Sequence, residues 1–205
     1  MTESKTSAMF ITLEGGEGAG KSTSRDFIVS LLKEHNVPFI QTREPGGTPI
    51  GEALRELLLS KEGTAPSVIT ELLMVFAARA QHLHEVIEPA LREGMWVLCD
   101  RFTDATYAYQ GFGRGSDLGE IEALEALVQR GRHPDLTLLF DINPQLGMAR
   151  ARQRAELDRF EQEELAFFEK VRKGYLSRAE CDSRFEIIDA SQSVSYTHLT
   201  LPTKA

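Results

Sequence analysis

The sequence predicts an α/β three-layer sandwich built on a five-stranded parallel sheet. Five short apolar segments are nearly continuous rather than alternating, which is typical of strands buried on both faces of a sheet. The segments between them have helical periodicity, as expected of crossover connections. The chain has 205 residues, of which 41% are hydrophobic, so it can bury one substantial core. We therefore predict one domain over residues 1–193.

The elements follow one another in the order that such a sheet requires. The predicted strands are Met9–Glu14, Pro38–Arg43, Met95–Asp100, Leu136–Asp141 and Phe185–Asp189. A helix is predicted over Ser24–Glu34, where apolar residues form one stripe. A longer helix is predicted over Thr70–Arg92 and should be bent or interrupted by Pro89. The glycines of Gly111–Gly115 indicate a loop.

The last residues of the chain differ from the rest. Residues 194–205 are rich in threonine, contain Pro202 and have neither helical nor strand periodicity. We interpret this segment as a non-native or disordered tail and leave it out of the predicted fold. On this interpretation, the native C-terminal element is expected to be missing.

Composition narrows the classes of function. A formal net charge of −8 argues against broad binding to nucleic acid, which requires a basic surface. No apolar run approaches the ~18 residues of a membrane span, and the first residues lack the apolar region of a secretory signal. Cys99 and Cys181 lie far apart in sequence and form no C-x-x-C pair. We expect a soluble protein of the reducing cytoplasm without a membrane partner.

The strongest motif is a glycine-rich loop between the first strand and the first helix. Residues 15–22 satisfy G-x-x-x-x-G-K-[ST], the P-loop pattern, in which backbone N–H groups and a helix N-terminus bind phosphates. Glycines permit the close approach. The predicted ATP-binding residues are Gly15, Gly16, Glu17, Gly18, Ala19, Gly20, Lys21, Ser22 and Thr23. Lys21 is expected on the β- and γ-phosphates and Ser22 on Mg²⁺. No Asn-Lys-x-Asp stretch is present to recognise guanine.

Further candidates lie where predicted strands end and on the long helix. Asp100 is placed to approach Mg²⁺ and Arg101 to bind phosphate oxygens, although a strand-end salt bridge fits the same pair. Arg43 ends the second strand before a rigid Pro-Gly-Gly turn. Phe76 and Arg79 share a helix face, so they offer a stacking surface and a donor for a base. Phe76 also fits a core position.

Taken together, these motifs resemble bacterial thymidylate kinases. The resemblance is carried, in family order, by residues 14–23 (EGGEGAGKST), 43–48 (REPGGT), 76–79 (FAAR), 100–102 (DRF) and 109–111 (YQG), and it covers about Phe10 to Ser191. It implies a P-loop NTPase fold and transfer of the ATP γ-phosphate to dTMP, giving dTDP for dTTP synthesis. Mg²⁺ as cofactor, ATP and dTMP as partners, and a homodimer are also implied.

The resemblance also assigns roles to individual residues. It implies that Arg43 and Arg101 hold the dTMP phosphate, that Phe76 stacks on thymine and that Arg79 bonds a thymine carbonyl. The remaining implied substrate-binding residues are Thr106 and Gln110 at the base, Tyr109 at the 2′ position of the sugar and Glu14 near its 3′-hydroxyl.

An arginine-rich segment is predicted to form a lid over about residues 148–160. Arg150 and Arg154 are four residues apart and share a helix face, so both can reach one phosphate chain, although a solvated charged face fits the same pattern. In thymidylate kinases the catalytic arginine lies in the P-loop or in the lid. The P-loop position here is Glu17, so the resemblance implies the lid arrangement. We predict catalytic roles for Lys21, Arg101, Arg154, Arg150 and Arg152, with Arg154 dominant.

Two alternatives stay open at the level of sequence. Another nucleotide or nucleoside kinase has the same P-loop, and a nucleotide-binding module without turnover keeps the same fold.

His82 and His84 do not share a helix face, which argues against a zinc site formed by this pair.

Overall fold

The computed structural model describes residues 8–62, 64–153, 159–161 and 163–192. Five strands form one sheet in the order β2-β3-β1-β4-β5, and every neighbouring pair is parallel. The helices connect the strands as crossovers. The predicted α/β architecture with a five-stranded parallel sheet is therefore confirmed. The predicted tail, residues 194–205, lies outside the described residues, and the boundary at 193 stays a prediction.

The strands lie within one residue of the predicted positions. Their bounds are β1 Phe10–Gly15, β2 Phe39–Arg43, β3 Trp96–Asp100, β4 Leu136–Asp141 and β5 Phe185–Asp189. The central strand β1 is buried along its whole length, whereas the edge strands β2 and β5 are partly exposed. The continuous apolar pattern therefore predicts full burial correctly for the central strands but not for the edge strands.

Eight α-helices are present in the described part of the chain. They are α1 Lys21–Glu34, α2 Pro49–Leu59, α3 Val68–His82, α4 Glu88–Arg92, α5 Thr103–Thr106, α6 Leu118–Gln129, α7 Pro144–Arg152 and α8 Leu165–Cys181. Several begin with a side-chain cap: Thr48 accepts from the N–H of Gly51, and Asn143 accepts from the N–H of Gln145. α1 begins three residues earlier than predicted, because the lysine of the P-loop already opens the helix.

Two π-helical segments interrupt the regular helices. The long helix predicted over Thr70–Arg92 is α-helical to His82, π-helical over Leu83–Ile87 and α-helical again from Glu88. The predicted interruption near Pro89 is thus present, and it falls just before the proline. The second π-helical segment is Tyr107–Gly113. The expectation of a loop over Gly111–Gly115 was wrong for residues 111–113, because tertiary packing buries this turn and keeps its backbone helical.

The core lies on both faces of the sheet. On one face, α1 packs against residues of β1, β3 and β4. On the other, the π-helical segment Leu83–Ile87, α4 and α6 pack against β1 and β3. Helix α8 packs against β1, β4 and β5 and closely along the π-helical segment Tyr107–Gly113. The carboxyl ends of β1, β2 and β3 remain at one edge, where the P-loop and the ends of α2 and α3 surround a cleft. Among the described residues, the helices are all too short or too polar to cross a membrane.

Candidate active site

One cleft joins the P-loop to the residues that follow β2 and β3. Its cavity volume is about 260 Å³. Most of the lining residues come from five parts of the chain: Glu17–Ser22 in the P-loop, Glu44 and Pro45 after β2, Arg55, Leu58 and Leu59 on α2, Val75 and Arg79 on α3, and Asp100–Phe102, Ala105, Thr106, Tyr109 and Gln110 at and after the end of β3. Phe160 and Glu161 complete the wall. Four cationic side chains therefore share one concave site.

Backbone conformation and close packing shape the P-loop. Gly20, directly before α1, has a φ of 80°, and Gly18 has a φ of 70°, both in the left-handed region that favours glycine. A Cβ atom on Gly18 would collide with the backbone of Gly147 in α7. The loop is thus held against α7 at a distance that only glycine allows. Gly15 and Gly16 line a second, smaller pocket rather than the cleft, and Thr23 is also outside the cleft lining.

Lys21 folds back over the P-loop. Its Nζ donates to the carbonyl oxygens of Gly15 at 2.9 Å and Gly16 at 3.2 Å. Burial lowers the pKa of Lys21, and the nearby guanidinium of Arg101 lowers it further. The ammonium group is therefore positioned by the loop that is predicted to bind the phosphates.

Arg101 lies opposite Lys21, with a φ of 68° that turns its side chain back toward the P-loop. Its Nη1 donates to the Gly15 carbonyl at 3.2 Å and to the Tyr175 hydroxyl at 3.0 Å. Its Nη2 binds the Glu17 carboxylate, which also accepts from the Tyr109 hydroxyl at 2.9 Å. The Tyr109 ring lies 4.8 Å from the guanidinium carbon. Arg101 is thus fixed between the two halves of the cleft.

Glu14 is fully buried at the end of β1, next to this cluster. It accepts from the Phe102 N–H at 2.7 Å and from the Tyr175 hydroxyl at 2.9 Å. Burial raises the pKa of Glu14 to about 7, and the neighbouring Asp104 contributes in the same direction. Arg101 and the two hydrogen bonds act against this rise.

Asp100 and Ser22 face the same cleft and fit a divalent cation. The Oδ1 atom of Asp100 is buried and has no hydrogen-bond partner within the described part of the chain. A buried carboxylate oxygen without a partner is costly unless a cation or water meets it. The described residues contain no cluster of three or more His, Cys, Asp or Glu side chains that resembles a metal site. One carboxylate and one hydroxyl suit Mg²⁺, which keeps several water or phosphate ligands.

Arg79 is the most enclosed cation of the cleft, at 1% exposure. Its Nε donates to Glu44 at 2.7 Å, and its Nη2 donates to Thr106 Oγ1 at 2.9 Å. Glu44 also binds the buried His82 at 2.9 Å. The Nη1 atom of Arg79 is buried without a hydrogen-bond partner among the described residues. The network therefore fixes the guanidinium and leaves one of its donors for a ligand.

Besides Glu14, two further predicted substrate residues lie outside the cleft wall. Phe76 is 2% exposed and packs with Leu72, Tyr107 and Ile121 in the core, with the Arg79 guanidinium 4.9 Å from its ring. Val75 lines the cleft, and Phe76 has the core position that the sequence also allowed, so its stacking on a base stays a prediction. Arg43 is exposed and pairs with Glu52 at 2.7 Å. Strand alternation explains this position, because Glu44 rather than Arg43 turns toward the cleft.

Three other predicted residues do line the cleft. Thr106 accepts from Arg79, Tyr109 donates to Glu17, and Gln110 Nε2 donates to the buried Glu71 at 2.8 Å. All three are almost completely buried. The helical turn α5 and the π-helical segment after it bring them to one side, facing the P-loop.

The predicted lid arginines have different positions. Arg150 donates to the carbonyl oxygens of Ala190 and Ser191, both at 2.8 Å, so it joins α7 to the end of β5 and does not reach the cleft. Its catalytic role stays a prediction. Arg152 is exposed at the end of α7. Arg154 lies outside the described residues, and the same holds for residues 155–158 of the predicted lid.

Sequence reasoning missed several residues of the site. Arg55 lines the cleft and donates to the Pro45 carbonyl at 3.1 Å. Arg159 donates to the Leu58 carbonyl at 2.7 Å and to Glu71 at 2.6 Å. Tyr175 on α8 bridges Arg101 and Glu14. Arg55 and Tyr175 belong to no local motif, and Arg159 lies within the predicted lid segment without an assigned role. The roles of all three depend on contacts between distant segments.

A P-loop that faces a second set of cations across one cleft defines a P-loop phosphotransferase. A sequence model described as thymidylate kinase matches residues 13–200. The thymidylate kinase of Pseudomonas putida (strain GB-1) is 58% identical over 189 residues, covering 92% of this chain and 90% of the relative. That of Teredinibacter turnerae is 57% identical over 187 residues, or 91% of each chain. The chain belongs to the thymidylate kinase family.

Proposed function

We propose that the protein transfers the γ-phosphate of ATP to dTMP and produces dTDP. The observation that carries the proposal is the single cleft in which the P-loop faces the separate cations Arg101 and Arg79. Two nucleotides bound at these two sides bring their phosphates together at the centre of the cleft. The high identity to thymidylate kinases over nine-tenths of the chain supports dTMP as acceptor.

The chemistry requires positioning and positive charge more than covalent help. A phosphate monoester is largely dianionic near neutral pH, so the acceptor oxygen attacks without a strong general base. Lys21 and the P-loop amides hold the β- and γ-phosphates, and Arg101 holds the acceptor phosphate in line with them. In this structure, Lys21 and Arg101 donate hydrogen bonds to oxygen atoms of the protein. When the nucleotides bind, phosphate oxygens replace these protein oxygens as acceptors.

Mg²⁺ is the proposed cofactor. Ser22 and Asp100 would hold it, through a hydroxyl and a carboxylate oxygen. The ion, when bound, neutralises charge on the phosphates of ATP. The Oδ1 of Asp100, which is buried without a hydrogen-bond partner in the described ranges, supports this assignment.

Nucleoside recognition falls to the side of the cleft opposite the P-loop. The Nη1 donor of Arg79, which has no partner among the described residues, suits a carbonyl oxygen of the base. Val75 and Phe102 provide apolar surface. Tyr109, held by Glu17, crowds the sugar and favours deoxyribose, while Glu14 lies nearby at the end of β1. Thr106 fixes Arg79 rather than binding the base directly.

The catalytic lid remains a proposal that centres on Arg154, with Arg152 in support. Lid closure over the phosphates excludes water and limits ATP hydrolysis.

A homodimer in the cytoplasm is also proposed. The exposed apolar side chains of α2 and α3, among them Leu57, Ile69 and Leu73, support an interface on that face.

The direct test is a coupled ADP-release assay with dTMP, dUMP, CMP and thymidine as acceptors, with Mg²⁺ omitted as a control. We expect turnover with dTMP to exceed turnover with the other acceptors and to require Mg²⁺. Preference for another acceptor would assign the protein to a different nucleotide or nucleoside kinase activity. Binding of ATP without ADP release in any mixture would instead identify a module without catalysis.

A further inference from the structure

Glu71 is a buried carboxylate that no motif identifies and that binds three side chains at once. It lies on α3 and is 1% exposed. Its Oε1 accepts from Gln110 Nε2 at 2.8 Å and from Arg114 Nε at 3.4 Å, and its Oε2 accepts from Arg159 Nη2 at 2.6 Å. It does not line the cleft itself, whereas its partner Gln110 does.

The chemistry of Glu71 determines how the Gln110 amide is oriented. A carboxylate that receives two guanidinium groups offers only acceptors. The Gln110 group that contacts it must therefore be the NH₂ donor, because the amide oxygen would be repelled. The amide oxygen of Gln110, for which no hydrogen bond is found within the described residues, is then the acceptor that remains for a ligand in the cleft. Without Glu71, the two amide orientations would differ far less in energy.

Gln110 and Arg79 together form a pattern that matches one class of base. The Nη1 of Arg79, unpaired within the described part of the chain, is a donor, and the fixed amide oxygen of Gln110 is an acceptor. Thymine and uracil present a carbonyl oxygen beside an N–H donor on the edge opposite the sugar. Cytosine presents an amine beside a nitrogen acceptor, which is the reverse pattern. A site with fixed polar groups strongly rejects a ligand that leaves them unpaired.

We propose that Glu71 is a positioning residue that gives the site its preference for thymine over cytosine by holding the Gln110 amide in one orientation. The inference rests on the proposed dTMP kinase function and adds the origin of its base selectivity. Glu71 acts through Gln110 and does not touch the substrate. Its ion pairs with Arg114 and Arg159 keep the carboxylate in place.

The test compares wild-type protein with Glu71→Gln, using kcat/KM for dTMP and for dCMP. A carboxamide at position 71 offers both a donor and an acceptor, so Gln110 can adopt either orientation. We expect kcat/KM for dTMP to fall about tenfold while the value for dCMP stays the same or rises, so that the dTMP/dCMP ratio falls about tenfold. Loss of structural support alone would lower both values together and leave the ratio unchanged, which would overturn the proposal.

Glu163→Gln is the matched control. Glu163 binds Arg114 at 2.6 Å but makes no contact with Gln110, so the same chemical change should leave the ratio at the wild-type value. A similar fall in the ratio for Glu163→Gln would contradict the proposal.

Wild-type protein that does not phosphorylate dTMP would refute the proposed function before any variant is compared. If circular dichroism shows that Glu71→Gln does not fold, the Glu71→Asp variant provides the test instead. Aspartate keeps the negative charge, but its shorter side chain moves the carboxylate away from Gln110, so the same fall in the dTMP/dCMP ratio is expected. An unchanged ratio with Glu71→Asp would count against the proposal.

Discussion

The two sides of the cleft are built in different ways. The P-loop side is one continuous stretch, Gly15–Ser22, whose form depends on glycine dihedrals and on contact with Gly147. The opposite side is assembled from α2, α3 and the segment after β3, and buried carboxylates hold its cations. Substitutions on the P-loop side should therefore affect mainly turnover, whereas those on the opposite side should affect stability and binding together.

The largest effect is expected for Arg79→Leu. Among the described residues, this change leaves the Glu44 carboxylate, at 3% side-chain exposure, with His82 as its one remaining ion-pair partner. A buried carboxylate that loses its guanidinium is strongly unfavourable. We expect the free energy of unfolding to fall by about 3–5 kcal/mol, as measured by urea denaturation. Arg25→Leu is the control, since it breaks an exposed pair with Asp26 and should cost less than about 1 kcal/mol. An equal decrease in the free energy of unfolding of the two variants would show that the buried Arg79 network stabilises the protein no more than an exposed ion pair does.

Lys21→Ala tests the P-loop side. Removing a preorganised cation at the transferred phosphate should lower kcat about 10²–10³-fold. Stability should change by only about 1 kcal/mol, because the two hydrogen bonds of Lys21 are offset by the burial that lowers its pKa. Steady-state kinetics and urea denaturation measure both quantities. The control is Lys33→Ala, at an exposed position of the same helix, which should change neither kcat nor stability. A near-normal kcat in Lys21→Ala would refute the P-loop assignment.

A smaller effect is expected from pH, through Glu14 at the junction of the two sides. The native pKa of Glu14 is about 7, above its ordinary value of 4.5, so the native state binds more protons than the unfolded state between these values. Stability therefore falls as pH rises from 4.5 to 7, with a slope of at most about 1.4 kcal/mol per pH unit from this group, and then levels off.

Glu14→Gln removes this titration. Urea denaturation from pH 5 to 8 should show a flatter pH dependence in the variant than in the wild type. Parallel curves for the two proteins would mean that Glu14 does not titrate in this range.

Much of the fold could be predicted because its signals are local. Buried strands appear as apolar runs, and all five strands lie within one residue of prediction. The P-loop was equally visible, since its glycines and Lys21 are consecutive. The loop predicted from Gly111 onward was wrong, because packing against Leu118 and Ile121 keeps this glycine-rich turn helical. Local composition carries no information about that packing.

The sequence by itself determined the sheet, the phosphate-binding loop and the membership of the family, because each depends on neighbouring residues or on a set of short motifs. The tertiary structure decided which side chains face the cleft. It placed Phe76 in the core and Val75 at the wall, and it paired Arg79 with Glu44 and Gln110 with Glu71. These pairs join residues 35 and 39 positions apart, so their geometry exists only after the helices have packed.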